Sequence, residues 1–127
     1  MRQFILGTDW WTDCDDAAAL RILARAVLNG EADIRCIGIN ACMEYSVRSI
    51  VSFLHLEGLN GIPVGLDHKA DDFGGNPPYQ KRLAEICGSD ISNSDAPDAA
   101  ELYIETLRNS GALKGMPESA QMSLFSF

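Results

Sequence analysis

The spacing of apolar and polar positions in the first third of the chain predicts a strand followed by a helix. Residues 3–8 form a short apolar run that stops at polar residues, which is typical of a buried strand ending at a loop. Residues 20–28 then carry apolar side chains on one helical face. We expect Asp15 or Asp16 to open this helix and Asn29-Gly30 to end it.

The same pattern repeats further along. Residues 34–39 predict a second strand, residues 45–56 a second helix, and residues 62–64 a short third strand. Strands that alternate with helices pair in parallel. The expected fold is therefore α/β, an open, mostly parallel sheet with helices on both faces and a Rossmann-like core, whose ligands gather at the C-terminal ends of the strands.

The second half of the chain is less regular. Residues 65–78 contain a Gly-Gly pair and two consecutive prolines and predict a long loop, either a lid for a ligand or a solvated excursion. Helices are expected over 79–86 and about 98–107, and residues 108–127 lack a period and predict an irregular tail. The chain of 127 residues is expected to be one domain.

Charge and cysteine content narrow the class of partner. A formal charge of -8 disfavours nucleic acid and anionic membrane surfaces, and it favours a cation or a neutral small molecule. The chain shows no CxxC spacing, no apolar run of membrane-spanning length and no signal-peptide pattern. We therefore expect a cytoplasmic protein with free thiols at its four cysteines: Cys14, Cys36, Cys42 and Cys87.

Four aspartates crowd the loop between the first strand and the first helix. The stretch GTDWWTDCDD places Asp9, Asp13, Asp15 and Asp16 within eight positions. A single aspartate there would cap the helix, but four exceed what capping needs, and their mutual repulsion calls for a counter-charge. Hard divalent cations such as Ca²⁺ bind several carboxylates at once, although the glycine and glutamate of an EF-hand loop are missing.

The stretch GTDWWTDCDDAAAL resembles the N-terminal signature of the inosine-uridine nucleoside hydrolase family, a strand running into D-T-D and then D-D-A on a helix. IRCIGINAC is similar to the family's second strand, and GLNGIPVGLD to its third. The resemblance covers about residues 1–107, and because the family fold is more than twice as long, we expect an N-terminal part that shows little or no turnover alone.

The resemblance implies Ca²⁺-dependent hydrolysis of the N-glycosidic bond of ribonucleosides, a reaction of nucleoside salvage. Asp9 and Asp16 would bind the metal, with Asp13 as a supporting ligand, and Asp9 would also take the proton of the attacking water. Asp15 would hold the ribose hydroxyls, and Asn40 would be the asparagine near the sugar. A ribonucleoside or ribose-like molecule is the expected small-molecule partner.

The chain departs from the signature at two positions. Gly7 replaces the first aspartate, which predicts weaker metal binding, and Trp11 replaces a glycine. Trp10 and Trp11 could stack on a base or sugar, but packing onto the core is favoured. His55 is interpreted as structural, whereas His68 is a weaker candidate for substrate contact, with Asn76 and Tyr79 also near the expected entrance.

Other classes of protein remain open. A phosphatase with an aspartate nucleophile would need that residue where Gly7 stands, and a receiver-like phosphoacceptor would rely on Asp67 and Lys114, neither well placed. The chain could instead be a non-catalytic metal- or ligand-binding module. It could also be a homo-oligomer subunit, because an incomplete open sheet leaves an unpaired edge.

Overall fold

The structure is a computed structural model and describes residues 1–11, 14–72, 74, 77–86 and 90–123. Strands and helices alternate over its first half, as the pattern predicts. The elements in chain order are β1 (Arg2–Thr8), α1 (Asp15–Leu28), β2 (Ala32–Ile39), α2 (Ser46–Leu56), β3 (Val64–Leu66), α3 (Pro78–Ile86), a 3₁₀ turn (Asn93–Asp95), α4 (Ala99–Ser110) and α5 (Glu118–Ser123).

The three strands form one open parallel sheet in the order β1-β2-β3. Thr8 is paired with Ile39, and Ile39 in turn with Leu66, so the C-terminal ends of all three strands lie at one edge. Arg35 is an extra residue in β2, because Phe4 pairs with Ile34 and Ile5 with Cys36. The α/β class and the parallel open sheet are confirmed.

The larger core lies between the sheet and the helices α1 and α2. Strand β2 contributes Ile34, Ile37 and Ile39, and α2 contributes Val47 and Ile50. These side chains are branched and apolar, which suits a strand buried on both faces and the inner face of a helix. Burying each one contributes about 1.5–3 kcal/mol of transfer free energy before the entropy of ordering is counted.

Helix α4 packs on the opposite face of the sheet. Gly38 points toward it, because neighbours in a strand alternate faces and both Ile37 and Ile39 belong to the other core. The ring of Tyr103 occupies the space where a Gly38 side chain would stand. This smaller core also contains Cys36, with Ile5 packed against it.

A buried carboxylate joins α1 to the end of α2. Glu57 forms ion pairs with Arg21 (Nη1 to Oε1, 2.6 Å) and Arg25 (Nη2 to Oε2, 3.5 Å), and both arginine side chains are largely exposed. Since α1 presents both arginines on one side, a single acidic side chain holds the two helices together at this end.

Three expectations differ from the structure. Strand β3 begins at Val64, two residues after the predicted start, because Ile62 and Pro63 precede the ladder and only the Pro63 carbonyl accepts a bond from Ile37. Helix α4 runs to Ser110, and α5 forms within the segment expected to be irregular.

Three thiols are free as predicted, whereas Cys87 lies outside the described residues. Within the ranges given above, no helix is both long and apolar enough to cross a bilayer.

Candidate functional site

The C-terminal edge of the sheet brings three strand ends together. The Asn40 N–H donates to the Thr8 carbonyl at 2.9 Å, and the Asp67 N–H donates to the Ile39 carbonyl at 2.8 Å. Asp9, Asn40 and Asp67 therefore follow their strands side by side. This edge is where ligands collect in open parallel sheets.

The carboxyl groups of Asp9 and Asp16 lie close enough at this edge for each to shift the pKa of the other. Burial, together with the hydrogen bond and the negative charge of Asp16, raises the pKa of Asp9. Burial also opposes ionisation of Asp16, yet hydrogen bonds from Thr8, Asp9 and the Trp10 backbone outweigh it and lower the pKa of Asp16. The pKa values of the two neighbouring carboxyl groups are therefore shifted in opposite directions, so that Asp9 is the weaker acid of the two and Asp16 the stronger.

The Asp16 carboxylate is already well supplied with donors. It accepts hydrogen bonds from the Thr8 hydroxyl and from the backbone N–H groups of Asp9 and Trp10, the last at 3.4 Å. Asp16 thus organises the loop as well as supplying negative charge.

Trp10 fixes the loop that carries Asp9. Its side chain is fully buried, and its indole N–H donates to the Ser49 hydroxyl at 2.9 Å. The Gln80 side-chain amide donates a hydrogen bond to the Trp10 carbonyl. The ring of Phe53 packs edge-on against the indole, with the ring centroids 5.3 Å apart. Its φ of 50° lies in the left-handed region, which costs a non-glycine residue about 1–3 kcal/mol.

The packing of Trp10 therefore agrees with the favoured interpretation, and a role in stacking on substrate is wrong for this residue. Trp11 is half-buried. The strain at Trp10 is held by contacts from α2 and α3. The direction in which Asp9 leaves β1 is consequently set by residues distant in the sequence.

The Tyr103 hydroxyl crowds one side of Gly7. A Cβ built on Gly7 would lie 3.3 Å from the Tyr103 hydroxyl, which is tighter than most real contacts. A larger side chain at this position would require the Tyr103 hydroxyl to move by a few tenths of an ångström.

The remaining predicted residues divide into three groups. Asp15 lies in the first turn of α1, where its charge helps to raise the pKa of Asp9, and Asn40 is exposed at the end of β2. Asp13 and Asn76 lie outside the described residues. Tyr79 is half-buried and packs edge-on against Trp10, with the ring centroids 5.8 Å apart.

Each of the two histidines forms a hydrogen bond through one ring nitrogen. His55 is exposed and its Nδ1 lies 2.9 Å from the Asn60 side-chain oxygen. His68 has its Nε2 2.9 Å from the Ala96 carbonyl, which ties the start of the long loop to the segment before α4. Neither bond involves the Asp9–Asp16 pair.

The long loop after β3 returns to the same edge of the sheet. The Cys42 N–H donates to the Asp71 carbonyl at 3.2 Å. Burial raises the pKa of the Cys42 thiol, and the charges of Asp72 and Asp67 raise it further. The loop therefore adds negative charge beside the strand ends, as a wall of the site would.

A complete metal cage is not assembled by the part of the chain that the structure describes, since no three Asp, Glu, His or Cys side chains there could hold an ion. The pair of Asp9 and Asp16 supplies two carboxylates. The predicted third ligand, Asp13, lies in the loop outside the described residues. Oxygen donors of this kind suit Ca²⁺ or Mg²⁺.

Sequence reasoning missed the residues that hold the site in shape. Ser49, Gln80 and Tyr103 each contact the Asp9 loop or the strand before it from another element. No local motif marks them, and only their polar or small character at otherwise buried positions gave a signal. A comparison with protein-family models, curated proteins and solved structures found no match for this chain.

Proposed function

We propose that this chain carries the cation and sugar side of a nucleoside hydrolase-like site, for Ca²⁺-dependent cleavage of the N-glycosidic bond of ribonucleosides. The observation that carries the proposal is the placement of Asp9 and Asp16 together at the C-terminal edge of a parallel sheet, where Asp16 bonds to the Thr8 hydroxyl and the Asn40 N–H bonds to the Thr8 carbonyl. The same proposal includes a nucleoside hydrolase-like fold, which is supported by the resemblance of the GTDWWTDCDDAAAL stretch to the family signature.

A divalent cation is the natural counter-charge for this pair. Two neighbouring carboxylates repel each other when both are ionised, and a bound divalent cation would offset that repulsion. The surrounding edge is also acidic, with Asp15, Asp67 and Asp72 close enough to affect the pKa of their neighbours. The net charge of -8 further favours attraction of cations.

The residues have separate roles in the proposed reaction. Asp9 and Asp16 would bind the cation, with Asp13 as third ligand, and a bound Ca²⁺ would supply the positive charge that polarises a water. Asp9 would accept a proton from the water that attacks the anomeric carbon. Asp15 and Asn40 hold the ribose hydroxyls, which positions the sugar for an oxocarbenium-like transition state.

Calorimetric titration with Ca²⁺ tests the cation site. We expect uptake with release of about one proton per ion near and below the raised pKa of Asp9, seen as a heat that changes with the ionisation enthalpy of the buffer. Asp9→Ala and Asp16→Asn should abolish uptake. Asp33→Asn, in an exposed pair with Arg35 at the opposite end of β2, is the matched control and should bind normally.

No uptake by the native protein, with no effect of Asp9→Ala, would overturn the proposal. Ribose release from inosine or uridine tests the chemistry separately. Slow, Ca²⁺-dependent release that is lost in Asp15→Asn would support hydrolysis. Ca²⁺ uptake and ribose binding without release would favour the alternative of a non-catalytic binding module.

A further inference from the structure

Residues 41–46 form the turn between β2 and α2, directly after Asn40, and this turn is built on buried side-chain bonds. The Ser46 hydroxyl donates to the Ala41 carbonyl at 3.1 Å and accepts from the Met43 N–H at 3.0 Å. All three of these residues are at most 1% exposed. The turn is therefore a closely packed part of the fold, and its shape sets the direction in which the chain leaves Asn40.

One side chain from a distant segment completes this turn. The Asn93 side-chain oxygen accepts from the Val47 N–H at 3.2 Å, and the Asn93 side-chain nitrogen donates to the Met43 carbonyl at 2.7 Å. Because the Val47 N–H can only donate and the Met43 carbonyl can only accept, these two bonds together fix the orientation of the amide. Asn93 thus joins the turn to the start of α2, 46 positions away in the sequence.

The two bonds of Asn93 have different consequences. The N-cap residue of α2, Tyr45, makes no side-chain capping bond, and the first turn of the helix carries no acidic residue. The N–H groups of a first helical turn need acceptors from outside the helix, and the Asn93 oxygen supplies one. The Asn93 nitrogen bonds outside the helix, to the turn that precedes it. Its oxygen therefore caps α2, and its nitrogen shapes the turn after Asn40.

The segment that carries Asn93 is itself held at the edge of the sheet. Leu66, the last residue of β3, donates its N–H to the Pro97 carbonyl at 2.9 Å. The His68 Nε2 lies 2.9 Å from the Ala96 carbonyl. This segment therefore connects the loops that follow β2 and β3, and bonds from the β3 side fix the place from which Asn93 reaches the turn.

We propose that Asn93 is a positioning residue of the candidate site, which holds the turn after β2 so that Asn40 stays beside Asp9 and which thereby sets the affinity for the sugar. The Asn40 N–H bonds to the Thr8 carbonyl, directly before Asp9, so a change in the turn moves Asn40 relative to the Asp9 loop. The effect on sugar binding rests on the proposed function, in which Asn40 holds a ribose hydroxyl. The positioning of Asn40 does not rest on it and is measured without a ligand.

The variant Asn93→Asp separates the two bonds. The introduced carboxylate can still accept from the Val47 N–H, and its negative charge suits a helix N-terminus, so circular dichroism should show the native helix content. Its second oxygen would face the Met43 carbonyl, and two acceptors with no hydrogen between them repel each other. The turn should therefore loosen while α2 stays capped. A residue that only capped the helix would tolerate this change.

Hydrogen exchange measures the positioning of Asn40 without a ligand. In Asn93→Asp the Asn40 amide, which bonds to the Thr8 carbonyl, should exchange about tenfold faster than in the native protein. The Leu59 amide, which bonds to the Leu54 carbonyl at the other end of α2, should change by less than about twofold. Equal exchange of the Asn40 amide in the native protein and the variant would overturn the proposal.

Calorimetric titration with ribose in the presence of Ca²⁺ tests the consequence for the sugar. We expect Asn93→Asp to raise the dissociation constant for ribose about tenfold, while that for Ca²⁺ alone stays within about twofold. Asn60→Asp makes the same chemical change in the loop after α2, where Asn60 bonds to His55, and should leave both constants unchanged.

The two readouts keep the proposals apart. Unchanged ribose affinity in Asn93→Asp would overturn its effect on the sugar. If the native protein binds no ribose, the proposed sugar site fails and the effect of Asn93 on sugar affinity fails with it. Hydrogen exchange at Asn40 still decides in that case whether Asn93 positions the edge of the sheet.

Discussion

Replacing Gly38 with alanine should strongly destabilise the protein, because the new methyl group and the ring of Tyr103 need the same space. A Cβ at this position would lie 2.7 Å from Cε1 of the ring and closer still to Cζ and the hydroxyl oxygen. Real Cβ atoms essentially never approach within 3.0 Å of another atom. Since the hydroxyl oxygen and two ring atoms of Tyr103 are affected, the whole side chain must move.

The size of the effect follows from what must be given up. Tyr103 is buried on α4, and overpacking a core costs about 1–3 kcal/mol, whereas losing a buried aromatic ring altogether costs about 3–5 kcal/mol. We expect a loss of about 2–4 kcal/mol in the free energy of unfolding. For a chain of this size that lowers the melting temperature by about 10 °C.

Urea denaturation followed by circular dichroism measures this loss, and a double-mutant cycle identifies its cause. Tyr103→Ala removes the clash, so Gly38→Ala should cost at least about 1 kcal/mol less in that background. Gly7→Ala is the matched control, since its Cβ would meet only the Tyr103 hydroxyl at 3.3 Å. Additive costs in the cycle, or a Gly38→Ala protein as stable as the native one, would refute the reasoning.

Four further predictions concern charged residues and the anchoring of the Asp9 loop. Glu57→Gln should cost about 1–3 kcal/mol in urea denaturation, because it weakens a buried carboxylate's bonds to Arg21 and Arg25. Asp9→Asn should raise the free energy of unfolding at neutral pH. Because the pKa of Asp9 is raised in the folded protein, its protonated form contributes stability below the ordinary pKa of 3.8, and this stability is lost as the pH rises through the folded pKa. Asparagine is uncharged at every pH and keeps that stability. Asp16→Asn should do the opposite, since its lowered pKa gives stability above 3.8 that is lost as pH falls. Trp10→Phe should cost about 1–2 kcal/mol through the lost bond to Ser49, and near-native melting would contradict the anchoring role of Trp10.

The alternation of strands and helices could be predicted because it depends on local patterns. Apolar runs and helical stripes fixed β1, α1, β2 and α2 to within two residues at each end. Strand β3 was misplaced because it has three residues, too few for a period to show. Helix α5 was missed for the same reason, since six residues make less than two turns.

Part of the candidate site could likewise be predicted from local sequence, and part depends on contacts between distant elements. The crowding of Asp9, Asp15 and Asp16 is visible in the sequence, and so is its location after a strand. That Asp9 and Asp16 lie close enough to shift each other's pKa depends on the turn at Trp10. The turn is held by side chains from α2 and α3, which no local motif connects to the loop.

By itself, the sequence determined the α/β class, the parallel order of the strands and the acidic edge, because periodicity and residue type act over a few neighbouring positions. Only the tertiary structure decided which carboxylates meet, that Trp10 is an anchor rather than a ligand contact, and that Tyr103 crowds Gly7 and occupies the space at Gly38. These outcomes depend on close packing between elements distant in the chain. Packing is decided by shape and distance, which a one-dimensional pattern does not contain.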